Sequence, residues 1–157
     1  MITIENYKPE YQCYFEAFNK AWLEKYYVVE AIDEYVLTHP EEAILNDGGR
    51  ILFAVYNEAV VGTVALRKVD EGVMEFTKMA VDEKYQGLGA GKMLCEAAIQ
   101  LARDLKQEKL ILYSQTQLQT ALSIYRKYGF IDKPIDGTKY KRADVYMEMS
   151  LLDGEMS

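Results

Sequence analysis

Two stretches near the beginning of the chain carry apolar side chains at helical spacing. After a short alternating strand at 2–4 and Pro9, apolar and aromatic residues recur every three or four positions as far as Tyr26. This spacing predicts an amphipathic helix. A second helix is predicted over 30–38, ending before Pro40, because a proline disfavours the helical conformation in the residue that precedes it.

From Arg50 onward the pattern changes to that of extended strands. Apolar and β-branched residues fill 51–56, 60–69 and 73–81, and turn-forming residues separate these runs. Consecutive strands joined by such short turns predict an antiparallel meander.

The second half of the chain alternates helices and strands. A glycine-rich segment at 86–91 leads into a helix predicted to about Lys106, whose apolar residues form one stripe. A buried strand at 109–114 follows, then a helix ending at Gly129, which suits a left-handed C-cap, and a closing strand at 140–151. Antiparallel strands followed by such a βαβα unit predict a mixed α/β sheet.

Length and composition indicate one domain covering residues 1–157. Half of the residues are hydrophobic, which is enough for a core without disulfide bonds or a structural metal. No run approaches the roughly 20 apolar residues of a membrane-spanning helix, and the N-terminus lacks a secretory signal pattern, so we expect a cytoplasmic protein without a membrane partner. Cys13 and Cys95 lie in helical segments and His39 is the single histidine, so no metal cofactor is expected.

The charge is negative and unevenly distributed. Acidic side chains number 25 and basic side chains 18, for a net charge of −7. Residues 1–76 carry a net charge of −8 and residues 77–157 a net charge of +1. Because binding to nucleic acid needs a clustered basic face, no nucleic-acid partner is expected.

The turn at 86–91 is the clearest local sign of a ligand site. Gly87, Gly89 and Gly91 let the backbone approach a ligand closely, and the free N–H groups of the following helical turn form an anion site suited to a pyrophosphate. The turn is not a P-loop, because Met93 stands where Ser or Thr is required. A flexible turn that only caps the helix is the alternative interpretation.

Two motifs together resemble the GNAT superfamily of acetyl-CoA-dependent N-acetyltransferases. The first is Gln-x-x-Gly-x-Gly at 86–91 and the second is Ala-x-x-x-Tyr-x-x-x-Gly-Phe at 121–130. The resemblance covers essentially the whole chain. It implies an α/β fold with a mixed, mostly antiparallel central sheet of about seven strands and about four flanking helices. It also implies a V-shaped splay between the strand at 73–81 and the strand at 109–114.

The resemblance also implies acetyl-CoA as a co-substrate. Main-chain groups of Met79, Ala80 and Val81 are expected to hydrogen-bond the pantetheine arm, and the glycine-rich loop is expected to hold the pyrophosphate. The residues of that loop are Gln86, Gly87, Leu88, Gly89, Ala90, Gly91 and Lys92, with Lys127 as a further phosphate neighbour.

Tyr125 and Glu75 match the family's acid and base. A phenol is protonated at neutral pH and has a pKa close enough to that of a thiol to give its proton to a departing thiolate, so Tyr125 is the candidate general acid. The alternative is that Tyr125 only packs on the apolar face of its helix. Glu75 is the candidate base that removes a proton from the amine, and the alternative is an exposed strand residue or a partner of Lys78.

The acceptor side is predicted less sharply. Trp22, Tyr26, Tyr27 and Glu30 are candidates to contact the substrate, although helical spacing favours core positions for Trp22 and Tyr26. The acidic first half favours a small cationic primary amine as the acceptor. A non-catalytic acyl-CoA-binding sensor and an acyltransferase for protein N-termini or lysines stay open as alternatives. The resemblance also allows a homodimer.

Overall fold

A computed structural model describes residues 1–26, 31–116, 118–135 and 143–152. The strands are β1 (Ile2–Asn6), β2 (Arg50–Tyr56), β3 (Ala59–Asp70), β4 (Val73–Val81), β5 (Lys109–Ser114), β6 (Ile131–Lys133) and β7 (Val145–Ser150). The helices are α1 (Gln12–Tyr26), α2 (Ala31–Thr38), α3 (Ala90–Asp104) and α4 (Gln119–Lys127). Short helical turns lie at Pro9–Tyr11, Glu41–Leu45 and Glu83–Tyr85.

The seven strands form one sheet in the order β1-β2-β3-β4-β5-β7-β6. Among the described strands, β4 and β5 are the one parallel pair, and all other neighbours are antiparallel. The expected mixed, mostly antiparallel sheet with four helices is therefore confirmed.

The closing strand is shorter than predicted. The closing strand was predicted over 140–151, but Ala143 and Asp144 are not in a strand and β7 covers only Val145–Ser150, while 140–142 lie outside the described residues. The predicted start of the second helix also falls outside them. The three-residue β6 has no counterpart in the prediction, because all three of its side chains are exposed and leave no alternating pattern.

The sheet is buried on both faces. One face packs on α3 and α4, and its core includes Leu52, Ala54, Phe76, Leu94, Ala98, Leu122 and Phe130. The opposite face packs on α1 and α2, and its core includes Phe15, Leu23, Leu37, Ile51, Phe53 and Val55. Successive residues of β2 thus alternate between two apolar layers, which explains why this strand is a continuous hydrophobic run.

The splay that the resemblance implied lies between β4 and β5. Their register pairs only the first three residues of each strand and ends at Glu75 and Ile111. Beyond that point β4 contains a bulge, where Lys78 has a φ of +58° and the register with β3 shifts. A bulge bends its strand locally, so the structure opens a gap between β4 and β5 in the middle of the sheet.

Candidate active site

A cavity of about 490 Å³ occupies the gap between β4 and β5. Its walls come from α1 on one face of the sheet and from α4 on the other face, so the cavity runs through the sheet. Residues of both helices and both strands line it, among them Asn19, Trp22, Glu75, Lys78, Ser114 and Tyr125.

Met79, Ala80 and Val81 present a strand edge to this cavity. On its other edge β4 pairs with β3, with Ala80 opposite Thr63 and Val81 opposite Gly62. No described strand pairs with the cavity edge beyond Glu75, because β5 has already separated from β4. An extended ligand can therefore hydrogen-bond this edge in the way an added strand would.

The glycine turn begins at the rim of the cavity, where Gln86 lines it. Gly87 and Gly89 have φ values of +89° and +88°, which side chains other than glycine rarely adopt. A Cβ at either position would have no described atom within 4 Å, so the backbone faces open space. A Cβ at Gly91 would contact the Met79 and Val81 side chains, which places the N-terminus of α3 beside the exposed edge of β4.

The N-terminus of α3 is a suitable anion site. Gly89 caps the helix without a side chain, so no cap hydrogen bond competes for the first N–H groups. The lysines are less directly placed: Lys92 and Lys127 are exposed and neither lines the cavity. Backbone groups, with Lys92 at the edge of the same helical turn, are thus the principal candidates to hold a pyrophosphate.

We expect Gly89→Ala to weaken binding of CoA about fivefold to tenfold. The side chain would strain a left-handed backbone by about 1–2 kcal/mol, and relief of that strain would turn the N–H groups away from the phosphates. Isothermal calorimetry with CoA measures the change. Gly48→Ala is the matched control, because Gly48 has a φ of +97° but belongs to the turn before β2 and not to the N-terminus of α3. Equal affinities for the two variants would contradict a phosphate site at this turn.

Tyr125 enters the cavity from α4, and two phenylalanines hold its ring. The ring centroids of Phe76 and Phe130 lie 5.6 and 6.0 Å from that of Tyr125, both edge to face. Within the described part of the chain no group hydrogen-bonds the Tyr125 hydroxyl. Burial raises the pKa of this phenol above its usual value near 10, and the nearby Cys95 adds to the rise. The hydroxyl is therefore protonated across the neutral pH range and available to a ligand.

Glu75 lines the same cavity just before the bulge and is only 1% exposed. Nε and Nη2 of Arg67 both donate to Glu75 Oε1, at 3.2 and 2.9 Å. The alternative of an exposed strand residue is wrong, because Glu75 is buried and held by an arginine from β3. The ammonium of Lys78 lies instead 3.1 Å from Asp33 Oδ1, in a second buried ion pair that joins β4 to α2.

A sequence profile of the Acetyltransferase (GNAT) family matches residues 8–130. The chain belongs to the GNAT acetyltransferase family. Among curated proteins, it is 25% identical to mouse N-acetyltransferase 8B over 111 residues, which cover 68% of this chain and 48% of that protein. The chain spans about half or less of the length of the curated relatives it matches.

Solved structures of GNAT proteins share this fold. An acetyltransferase of the GNAT family from Staphylococcus aureus Mu50 superposes with a TM-score of 0.86 at 23% identity, over 96% of this chain and 99% of that one. A PaiA N-acetyltransferase from Thermoplasma acidophilum in complex with coenzyme A superposes with a TM-score of 0.72 at 20% identity, over 96% and 99% of the two chains.

The GNAT fold brings most of the residues predicted for the site together. Tyr125, Glu75 and the strand edge at 79–81 share the cavity with Trp22, which also packs against the core under α1. Gly87–Lys92 adjoin the cavity through Gln86 without lining it. Tyr27 and Glu30 lie outside the described residues, and the side chain of Tyr26 is not described either.

Several polar residues that line this cavity were not among the predicted site residues. Asn19 reaches it from α1, and Ser114 and Gln115 reach it from the end of β5. A signal for Asn19 is present in the sequence, because it interrupts the apolar stripe of its helix between Phe15 and Leu23.

The two cysteines of this protein are poorly placed to accept the acetyl group as a covalent intermediate. Cys95 is buried, and burial raises the pKa of its thiol to about 12, with a smaller contribution from Glu96. Cys13 is exposed on α1 and does not line the cavity. Neither thiol is positioned as a nucleophile.

None of the described helices has the length and hydropathy needed to cross a membrane. Among the residues that the structure describes, no three His, Cys, Asp or Glu side chains lie close enough together to ligate a metal ion.

Proposed function

We propose that this GNAT protein transfers an acetyl group from acetyl-CoA directly to a small cationic primary amine. The observation that carries the proposal is the cavity through the sheet, with an unpaired strand edge and a glycine turn on one side and Tyr125 and Glu75 in its walls. These residues fit the co-substrate: the strand edge suits the pantetheine arm, and the open turn suits the pyrophosphate. Acetyl-CoA supplies an acetyl group activated as a thioester.

The two side chains serve the two proton transfers of the reaction. Glu75 removes a proton from the substrate ammonium, directly or through water, so that the amine nitrogen can attack the thioester carbonyl carbon. The carbon–nitrogen bond forms, the carbon–sulfur bond breaks, and Tyr125 gives its proton to the departing thiolate. The nitrogen loses a second proton as the amide forms, and this proton and the one on Glu75 pass to water. The Tyr125 phenolate takes one proton back, so each turnover releases one proton to solvent.

The acidic first half of the chain supports a cationic acceptor. Residues 1–76 carry a net charge of −8 and supply α1 and α2, the helices on the acceptor side of the sheet. A negative field on that side attracts ammonium groups and repels carboxylates. We therefore expect kcat/KM for a cationic amine to fall as salt is added, which steady-state rates between low and physiological ionic strength would measure.

A panel of acceptors with acetyl-CoA tests the function. Release of the CoA thiol is followed with phenethylamine, tyramine, spermidine, glutamate and a peptide with a free N-terminus. Release with a small amine and not with glutamate supports the proposal. Release with the peptide alone would assign the protein to acylation of protein termini. Calorimetric binding of acetyl-CoA without release from any acceptor would assign it a non-catalytic sensing function.

We expect Glu75→Gln to lower kcat/KM for the amine about tenfold, less than the roughly 10²–10⁴-fold typical of a general acid or base, because water in the open cavity can also take the proton. The substitution preserves volume and keeps an oxygen for Arg67. Steady-state kinetics across pH 6–9 measures the effect. Asp132→Asn is the matched control, since Asp132 also accepts two hydrogen bonds from an arginine, Arg126, but does not line the cavity. Equal rates for Glu75→Gln and wild type would exclude the base.

A further inference from the structure

An asparagine interrupts the buried stripe of α1. Phe15, Asn19 and Leu23 follow one another at intervals of four residues and therefore share one face of the helix. Phe15 and Leu23 belong to the core, and Asn19 is equally buried, with 4% of its surface exposed. Burial of an amide in an apolar layer is unfavourable unless its polar atoms form hydrogen bonds. The oxygen and the nitrogen of this amide are therefore both expected to have hydrogen-bond partners.

The orientation of the Asn19 amide is determined by its one hydrogen bond. Nδ2 donates to the main-chain oxygen of Phe15 at 3.0 Å. Since a carbonyl oxygen can only accept, the nitrogen must face Phe15 and Oδ1 must point away from it.

Oδ1 is an acceptor that faces the cavity. Within the described residues no group donates a hydrogen bond to Asn19 Oδ1. Gln107 Oε1 is the one described side-chain atom that is both completely buried and without a hydrogen-bond partner. The Asn19 oxygen is thus not sealed, and Asn19 lines the cavity. An accessible acceptor on a residue that lines the cavity is available to a ligand there.

Other residues that line the same cavity define its chemistry. Glu75 contributes a buried carboxylate from β4, while Trp22 and Leu23 contribute an aromatic and an aliphatic wall from α1. An amide oxygen and a carboxylate are two hydrogen-bond acceptors, which suits a group with several N–H donors. The apolar walls suit a hydrocarbon body next to that group.

We propose that Asn19 is a specificity-determining residue whose Oδ1 accepts a hydrogen bond from the acceptor's amino group, while Glu75 accepts another. The acceptor is then a primary amine with an apolar alkyl or arylalkyl body that lies against Trp22 and Leu23. This inference rests on the proposed function and names its substrate class. A secondary N-methyl amine offers one donor fewer and adds a methyl group between two polar acceptors.

The test compares two probes in wild type and Asn19→Leu. Thiol release from acetyl-CoA is measured with phenethylamine and with N-methylphenethylamine. We expect the substitution to lower kcat/KM for phenethylamine about tenfold, mainly through KM, because a hydrogen bond from a charged donor is lost. The preference for the primary amine should shrink by a similar factor, and the KM for acetyl-CoA should stay within about twofold of wild type.

Gln12→Leu is the matched control. Gln12 lies on the same helix, and its Nε2 donates to the main-chain oxygen of Leu37 at 2.9 Å, but it does not line the cavity. Loss of that amide should lower stability without changing the preference between the two amines. If Asn19→Leu does not fold, Asn19→Ser keeps a small polar group on the helix and should show the same loss of preference.

Three results would overturn the inference. If wild type acetylates phenethylamine and both Asn19 variants keep its KM and its preference, Asn19 does not bind the amino group, although the proposed function stands. If wild type acetylates spermidine and not phenethylamine, the apolar body is wrong. If wild type acetylates no amine, the proposed function fails and the inference fails with it.

Discussion

Tyr125→Phe should lower the rate of acetyl transfer by about 10²-fold or more, while binding of acetyl-CoA changes less than twofold. The variant keeps the ring that packs edge to face on Phe76 and Phe130 and removes only the hydroxyl. That hydroxyl has no hydrogen-bond partner among the described residues, so its removal breaks no contact of the fold. Its expected contribution is proton donation to the thiolate, and general acids contribute about 10²–10⁴-fold.

Single-turnover thiol release is the decisive measurement, because slow product release could hide a slower chemical step in kcat. The pH profile adds a second criterion. Since burial raises the pKa of Tyr125, the phenol keeps its proton below its usual value near 10, and no alkaline loss of rate from this group is expected below that pH.

Tyr128→Phe is the matched control for this experiment. Tyr128 lies on the next turn, beyond the end of α4, and its hydroxyl donates to Glu96 Oε2 at 2.8 Å. It does not line the cavity. This control should lose a little stability and keep the wild-type rate. Full turnover by Tyr125→Phe, with binding of acetyl-CoA unchanged, would remove Tyr125 from the mechanism and leave it as a packing residue of α4.

Asp33→Ala should produce the largest loss of stability, about 3–5 kcal/mol in the free energy of unfolding. The Asp33 side chain is fully buried, and the side chain of Lys78, 3.1 Å away, is 9% exposed. Removing one partner of a buried ion pair leaves the other charge less well compensated. This lowers the free energy of unfolding by more than the intact pair raises it. The effect should appear as a lower midpoint in urea unfolding with an unchanged slope.

Glu34→Ala tests whether burial is the cause. Glu34 is the next residue of α2 and forms an ion pair of 3.0 Å with Lys20, but its side chain is 52% exposed. An exposed pair contributes at most about 1 kcal/mol. In addition, Asp33→Leu combined with Lys78→Met should recover much of the lost stability, because it removes both charges. Similar losses for Asp33→Ala and Glu34→Ala would contradict this account.

Most of the fold could be predicted because its signals are local. The periods of 3.6 and 2 residues identified all four helices and six of the seven strands, and Gly129 marked the end of a helix. The exposed three-residue β6 could not be identified in this way. The order of the strands depends on contacts between distant segments, and local periodicity does not encode it.

The residues of the site also divide into those that local sequence identifies and those that depend on tertiary contacts. The glycine turn and Tyr125 could be identified because they stand at fixed spacings in short motifs. The arginine that holds Glu75 could not be identified from the sequence. Arg67 faces Glu75 across an antiparallel strand pair, and the register of that pair depends on its bulges. Asn19 was missed for a related reason, since its importance depends on a cavity that opens only where β4 leaves β5.

The sequence by itself determined that this chain forms a mixed α/β domain with a glycine turn after a strand and a tyrosine four residues before Gly129. Periodicity and backbone freedom are properties of neighbouring residues, so the order of residues is enough to predict them. Only the tertiary structure decided that β4 and β5 separate after Glu75, and that Asn19 and Tyr125 meet one cavity from opposite faces of the sheet. The physical reason is that strand pairing, burial and charge compensation depend on which distant segments the folded chain brings together.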